Sequence, residues 1–320
     1  MSRKEENKRN HHTLPKLYLK GFVEKEGEPF IWVYERGKSY NPGLKRGKYN
    51  PYRDSINYAG AERDVYAYTN KDGVTDFNTY ENVLEKLEKP ADPVFQKIRN
   101  QQMITSDEKT IFASYMIMMI KRVPRRKERA KEIWPSTLDS FEESSELMQW
   151  LNAEEANTDP NDLEKLAKLS RLGAEVRRIL EEYRENIPTE ILLKTMVLES
   201  ALLPVIGDMN WQFFIAPEGY SFFTSDNPVF YFESFGLNKL YSEITFPISS
   251  NIVLAASWHK ELGEGFFPAN SETVLEVNRR TASIASMNAY HSRKTSWLVD
   301  VLNKQRHRLN LLYSYSGELG

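Results

Sequence analysis

The pattern of apolar and polar positions changes along the chain and predicts three regions. Residues 29–36, PFIWVYER, are rich in aromatic and β-branched residues, which predicts a strand. From Asp76 to Ile206 the apolar positions follow the helical period, and after Asn210 they alternate with a period of two. A strand, then helices, then a run of strands predicts an α+β fold. In it, an antiparallel sheet built mainly from the C-terminal half packs against a helical layer from the middle of the chain.

Prolines and capping residues divide these regions into elements. Thr105 and Glu108 have the spacing of a capping box and predict a helix that runs to Arg122, before Pro124. The predicted helices span residues 76–100 with a break at Lys89-Pro90, 105–122, 138–153, 160–185, 188–206 and 271–289. The predicted strands after Asn210 span residues 211–217, 220–226, 229–232, 243–248 and 252–258. A final apolar segment spans residues 308–315.

The predicted organisation is one composite domain over residues 10–320, preceded by a flexible polar tail at residues 1–9. No internal repeat and no low-complexity linker divides the chain. The domain is helix-rich over residues 76–206 and strand-rich over residues 210–258. A chain of 320 residues is long enough to form either one large domain or two smaller ones.

Composition indicates a soluble globular protein. Hydrophobic residues make up 40% and charged residues 28% of the chain, close to the globular average. The most apolar run, Ile111–Ile120, covers about half of the ~20 residues that a membrane helix needs, so we expect no membrane partner. The chain has no cysteine, which excludes thiol chemistry and favours the cytoplasm.

The net charge of −2 argues against binding of polyanions by bulk charge, but cations cluster locally. Residues 36–53 combine basic residues with tyrosines, and residues 121–131, KRVPRRKERAK, form a second basic tract. Such tracts can bind a nucleic acid or a nucleotide. Four arginines of the second tract are the predicted contacts: Arg122, Arg125, Arg126 and Arg129. A solvated basic face is the simpler interpretation.

Two acids lie on one side of the helix predicted after Asp76. Glu81 and Glu88 are seven residues apart, which brings them within ~20° of each other at the edge of the apolar face. Adjacent carboxylates can bind a divalent cation or divide acid and base roles. An amphipathic helix with charged, salt-bridged flanks explains the same pattern.

The segment FFTSDNPVF places polar residues directly after strand-like aromatics. Asp226 and Asn227 could therefore face a cleft at a strand end, or could form a turn through side-chain to backbone hydrogen bonds. The five histidines show no short metal-ligand spacing, and His291 is expected to have a capping or surface role.

Several segments together resemble a mostly bacterial family, domain of unknown function 4238 (DUF4238). The family's opening pattern, N-Q-H-x-V-P-x-x-Y-L-x-x-F, is matched from Asn10 to Phe22, with His11 in place of glutamine and Leu14 in place of valine. Its other markers resemble ERDVY at residues 62–66, the Glu81 and Glu88 pair, RVP at residues 122–124, FFTSDNPV and FPISSNIVL. The resemblance covers residues 10–295.

The resemblance implies a set of polar marker positions and no reaction: His12, Glu81, Glu88, Arg122, Asp226 and Asn227. Such a set would suit metal-dependent hydrolysis of a phosphodiester, as in a nuclease of bacterial defence or toxin biology. Glu81, Glu88 and Asp226 would hold Mg²⁺ or Mn²⁺, and His12, Asp226, Asn227 and Arg122 would be catalytic.

Two alternatives stay open. The chain could be a non-catalytic module that binds nucleic acid or protein, with His12 and Asp226 tying the N-terminal segment to the sheet. It could also act on a nucleotide or another small molecule.

Overall fold

The computed structural model describes residues 9–40, 51–69, 73–185, 201–232, 236–261 and 263–304. Its strands are β1 (Asn10–His12), β2 (Phe30–Glu35), β3 (Tyr52–Ser55), β4 (Ala61–Arg63), β5 (Tyr68–Thr69), β6 (Thr75–Asp76), β7 (Asn210–Ile215), β8 (Thr224–Ser225), β9 (Phe230–Tyr231), β10 (Glu243–Pro247), β11 (Ile252–Ser257), β12 (Gly265–Pro268) and β13 (Asn288–His291). Its helices are α1 (Lys16–Leu19), α2 (Thr79–Glu88), α3 (Ala91–Arg99), α4 (Ser106–Arg122), α5 (Pro124–Ser144), α6 (Glu146–Asn157), α7 (Leu163–Glu185), α8 (Leu202–Asp208), α9 (Ser271–Ile284) and α10 (Trp297–Lys304).

These elements confirm the α+β class. The chain divides into two compact units, Met1–Pro124 with Met196–Gly320, and Arg125–Thr195. The single composite domain stays a prediction. Of the expected N-terminal tail, only Arg9 lies within the described residues, where it forms a 2.5 Å ion pair with Asp64. No described helix has the length and apolarity needed to cross a membrane.

The larger sheet of the first unit has five strands in the order β12-β7-β11-β10-β9. All of them come from the C-terminal half, and all neighbours are antiparallel except β12 and β7. The central strand β11 is buried from Ile252 to Ala256, as its continuous apolar sequence predicts. Phe112 of α4 packs on this sheet, with ring centroids 6.0 Å from both Trp211 and Phe246. A helix from the middle of the chain therefore covers the sheet.

A second sheet joins strands from both ends of the chain, in the order β3-β2-β13-β8. Strand β13 lies between β2 and β8, with Tyr290 opposite Val33 on one side and Thr224 on the other. Helices α9 and α10 pack on this sheet through a buried cluster that includes Phe223 and Leu298. The N-terminal and C-terminal segments thus share one core.

The opening segment fixes the N-terminus to both sheets. Leu14, Tyr18 and Phe22 are fully buried, as their spacing predicts. The Tyr18 hydroxyl lies 2.6 Å from Thr224 Oγ1 in the second sheet and donates at 2.8 Å to the Pro247 carbonyl in the first. The apolar residues of this segment therefore serve the fold.

The second unit consists of helices. Within the described residues, Met148 and Leu151 of α6 pack against Leu169 and Val176 of α7. The Trp134 indole of α5 donates a 2.6 Å hydrogen bond to the Tyr183 carbonyl near the end of α7. The contacts of this unit come from helical periodicity, which the sequence shows clearly.

Three element boundaries differ from the predictions. The helix expected over residues 138–153 is two helices, and the first begins at Pro124, where proline suits the first helical position, and continues past Pro135. The helix expected to reach residue 289 ends at Ile284, and only residues 224–225 of the strand expected at 220–226 are extended in the sheet. The predicted helix 188–206 falls mainly on residues outside the described part; within the described part, α8 covers its end. The final apolar segment lies wholly outside the described residues.

Candidate functional site

His11 is a buried part of the fold. Strand β1 pairs with β4, which places His11 opposite Glu62. The His11 ring stacks on the Tyr66 ring, and its Nδ1 accepts a 2.9 Å hydrogen bond from the Tyr66 amide. Its Nε2 therefore carries the proton, and donates it to the Phe77 carbonyl at 2.9 Å. Both ring nitrogens are used by the backbone, so His11 has a structural role.

Arg122 at the end of α4 is the centre of the site. Its side chain is 1% exposed. The guanidinium donates to Glu88 Oε1 at 2.5 Å, to the Tyr66 hydroxyl at 3.2 Å and to the His12 carbonyl. These bonds join helices α2 and α4 to the N-terminal strand. Arg122 is therefore bonded inside the fold, and its expected contact with a phosphate or a nucleic acid stays a prediction.

The charges around Tyr66 show which predicted residues meet here. Burial raises the pKa of the Tyr66 phenol, Glu81 and Glu88 raise it further, and Arg122 opposes them. Burial alone would lower the pKa of Arg122, but Tyr66 and Glu88 more than offset this and raise it. Glu81 and Glu88 therefore act on the same phenol, on which Arg122 and the His12 carbonyl also converge.

The His12 imidazole lies at the edge of this group. Burial lowers its pKa to about 4, with further lowering by the charges of Lys16 and Arg122, while the backbone of Ile56 and Asn57 acts in the opposite direction. Its Nε2 is buried and has no hydrogen-bond partner of good geometry among the described residues. At neutral pH the ring is neutral, so it can accept a proton.

Asp226 holds a turn of the second sheet. Its Oδ1 accepts from the Ser286 amide at 2.7 Å, and its Oδ2 accepts from the Met287 and Asn288 amides at 2.7 and 2.8 Å. Burial raises the pKa of Asp226, and these three amides and Arg36 oppose that rise. The carboxylate therefore caps the chain between α9 and β13.

Asn227 and Arg36 complete the same turn. Asn227 Nδ2 donates to the Ile284 carbonyl at 3.1 Å, at the end of α9. The buried Arg36 guanidinium donates to the carbonyls of Ala282 and Leu302, and to that of Ala285 at 3.0 Å. Asp226 and Asn227 thus serve this turn, and within the described residues their hydrogen bonds go to it rather than to the group around Tyr66.

The predicted metal ligands do not form one group. Glu88 is bonded to Arg122 and Asp226 to three amides, while Glu81 lies near Tyr66. In the described parts of the chain, no three His, Asp or Glu side chains are arranged to hold a metal ion. The donor set expected for Mg²⁺ or Mn²⁺ is therefore divided between two places.

Tyr66 is the central residue that sequence reasoning missed. It contacts His11 through its ring and its amide, and Arg122 through its hydroxyl. A signal was present, because Tyr66 ends the ERDVY segment, but its partners are far away in sequence. The remaining predicted contacts, Arg125, Arg126 and Arg129, lie in α5. Their side chains are outside the described part of the structure.

Comparison with known proteins gives a family and no activity. The family model described as "Protein of unknown function (DUF4238)" matches residues 10–295, which is most of the chain. No curated protein and no solved structure matches the chain at a significant level. The matched range begins at β1 and includes every marker residue of the two groups described above.

Proposed function

Because the chain belongs to the DUF4238 family, whose function is unknown, we propose its function from the geometry: it binds nucleic acid through the basic start of α5. The proposal rests on one observation: the marker side chains form hydrogen bonds with other residues of the fold. Arg122 bonds to Glu88, Tyr66 and the His12 carbonyl, and Asp226 bonds to three amides. These residues stabilise the structure, so the binding function does not require chemistry from them.

The basic tract is the other unusual feature of the sequence. Helix α5 begins at Pro124, and its first turn contains no acid. Arg125 and Arg129 are four residues apart and Arg126 is beside them, so all three lie within about 100° of the helix circumference. Cations at a helix N-terminus are unfavourable, because this end of the helix dipole is positive. A bound phosphate is favoured there by the helix dipole and by the cations. A polyphosphate backbone is therefore the partner that suits this segment.

A binding experiment tests this proposal. Fluorescence anisotropy with labelled single-stranded and duplex oligonucleotides should show binding whose affinity falls steeply between about 50 and 200 mM salt. The triple variant Arg125→Gln, Arg126→Gln, Arg129→Gln should bind at least about tenfold more weakly. The slope of log K against log salt should fall by about 2 to 3, because three phosphate contacts are lost.

A matched control separates local contacts from total charge. Lys168, Arg171 and Arg177 are exposed on α7 of the same unit, and their replacement by glutamine removes the same three charges. This control should retain nearly wild-type affinity. Equal loss in both triple variants would mean that only net charge matters, and unchanged binding by the first variant would refute the proposed surface.

A cytoplasmic location belongs to the same proposal. The absence of cysteine supports it, because proteins of reducing compartments do not rely on disulfides. The cytoplasm also supplies the nucleic acid.

A second candidate function is metal-dependent phosphodiester hydrolysis, and the His12 ring favours it. Its imidazole is neutral at neutral pH and its buried Nε2 has no hydrogen-bond partner among the described residues, so it can accept a proton as a weak general base. Glu81 and Glu88 would supply carboxylates to Mg²⁺ or Mn²⁺, which commonly bind one or two carboxylates together with substrate phosphates. Arg122 and Asp226 would have no direct part in this reaction.

Cleavage of a labelled oligonucleotide with Mg²⁺ or Mn²⁺ tests this candidate. His12→Ala should reduce the rate by about 10²-fold or more, since its side chain would be the base. His259→Ala, at an exposed histidine, should retain the wild-type rate. Equal cleavage by both variants would show that the activity does not depend on His12.

A further inference from the structure

Ser221 and His291 form a hydrogen-bonded pair outside the two marker groups. Ser221 lies just before the buried Phe222 and Phe223, and His291 is the last residue of β13. Ser221 Oγ lies 2.9 Å from His291 Nε2. A serine within hydrogen-bond distance of a histidine is the first requirement for an activated hydroxyl nucleophile.

The second requirement is a group that orients the histidine. His291 Nδ1 lies 2.9 Å from the Arg293 carbonyl, to which it donates when it carries the ring proton, and it accepts from the Arg293 amide at 3.1 Å when Nε2 carries that proton. In the tautomer with the proton on Nδ1, the carbonyl accepts that proton and the Nε2 lone pair faces Ser221 Oγ. The carbonyl then has the orienting role that a carboxylate has in a Ser-His-Asp triad.

The surroundings hold both side chains in place. His291 is fully buried, and its ring packs edge-on against Trp297 at 5.8 Å. The Ser221 carbonyl accepts a 2.9 Å hydrogen bond from Asn278 Nδ2, while the Ser221 residue remains partly exposed. A buried histidine therefore lies within hydrogen-bond distance of a serine residue that is partly exposed. Burial lowers the pKa of His291 to about 4, so the ring is neutral and able to accept a proton at neutral pH, although as a weak base.

A further hydroxyl, that of Ser292, follows His291 directly in the chain. The Ser292 hydroxyl accepts a 2.9 Å hydrogen bond from the Ser250 hydroxyl, which leaves its own hydrogen available to donate. A hydroxyl donor close to a nucleophile stabilises the negative charge that forms on a carbonyl oxygen under attack.

We propose that Ser221 is a nucleophile activated by His291, and that it acts on small carboxylic esters. Ser221 Oγ forms a bond to the ester carbonyl carbon as its proton passes to His291 Nε2. The ester C–O bond then breaks, and the leaving alcohol takes the proton from His291, which gives an acyl-Ser221. Attack of water on this acyl group, again with proton transfer through His291, releases the carboxylic acid and restores Ser221.

A fluorophosphonate probe on the full chain tests the proposal directly. The probe forms a stable bond to activated serine hydroxyls and releases fluoride, so intact mass shows the number of labels and peptide mapping shows their sites. We expect one label, at Ser221, that is absent in Ser221→Ala and retained in Ser114→Ala, where an exposed helix serine is replaced. No label at Ser221, or labels distributed over several serines, would overturn the proposal.

Two further measurements assign the activation to His291 and to the fold. His291→Gln should lower the labelling rate by at least about tenfold, since it removes the base. Because His291 is buried, circular dichroism must first show that this variant is folded. The wild-type chain should also lose its label in concentrated urea, where the pair is separated. Equal labelling of Ser221 in folded and unfolded chains would overturn the proposal even if His291→Gln does not fold.

Discussion

Replacement of Asp226 by asparagine tests whether this carboxylate belongs to the fold or to an active site. The variant keeps the size of the side chain and exchanges one oxygen for an NH₂ group. In either orientation of the asparagine side chain, its NH₂ group replaces an oxygen that accepted from at least one of the Ser286, Met287 and Asn288 backbone N–H groups. That backbone N–H loses its acceptor. The remaining bonds become bonds to a neutral oxygen.

The magnitude follows from these bonds. A buried donor that loses its acceptor costs about 1 to 3 kcal/mol, and a bond to a neutral rather than a charged acceptor is weaker by about 1 kcal/mol. Burial raises the pKa of Asp226, so removal of the buried charge offsets part of this loss. We expect the free energy of unfolding to fall by about 2 to 4 kcal/mol. At about 2 to 4 °C per kcal/mol for a unit of this size, Tm should fall by roughly 5 to 15 °C.

Urea unfolding followed by tryptophan fluorescence, together with a thermal scan, measures this change. Asp300→Asn is the matched control, because Asp300 is exposed, and it should change stability by less than about 0.5 kcal/mol. A catalytic or metal-binding Asp226 would give the opposite result, with unchanged or higher stability and lost activity. A change within about 0.5 kcal/mol for Asp226→Asn would therefore refute the structural assignment.

Three further predictions concern other parts of the fold. Burial lowers the pKa of His291 to about 4 from 6.5, so the unfolded chain binds more protons between these values. The free energy of unfolding should then fall by up to about 3 kcal/mol as pH drops from about 6.5 to 4. Urea unfolding at several pH values measures this change, and its dependence on pH should be weaker for His291→Gln but unchanged for the exposed His259→Gln. Gly21→Ala should lose about 1 to 3 kcal/mol, because its Cβ would lie 2.3 Å from a backbone carbonyl oxygen, whereas Gly207→Ala in open space within α8 should gain up to about 1 kcal/mol in the same assay. Arg122→Lys should lose about 3 kcal/mol or more in thermal unfolding, because a lysine cannot reproduce the planar set of bonds; a loss below about 1 kcal/mol would contradict a structural role for this buried arginine.

Local patterns predicted the helices and central strands because their causes are local. The capping box of Thr105 and Glu108 and the buried run of β11 are present in the structure as expected. The end of α9 at Ile284 could not be predicted in this way. Its cause is the contact of Asp226 with amides about 60 residues away in sequence, which no local window contains.

The candidate site shows the same division. Sequence spacing placed Glu81 and Glu88 on one side of α2, and both act on Tyr66. It could not show that Arg122 is buried and bonded to Glu88, because this contact joins residues 34 positions apart. Nor could it pair Ser221 with His291, which are 70 positions apart and show no motif.

The bonds of the Tyr18 hydroxyl also set an order for folding. This residue is synthesised before its partners Thr224 and Pro247, which follow 206 and 229 positions later. Contacts of such long sequence separation form late, because the loop between the partners must close first. The N-terminal segment therefore packs only after most of the chain has left the ribosome, and Leu14, Tyr18 and Phe22 are exposed until then. In this interval the apolar segment is exposed on the nascent chain, and a chaperone that binds this segment would protect the chain from aggregation.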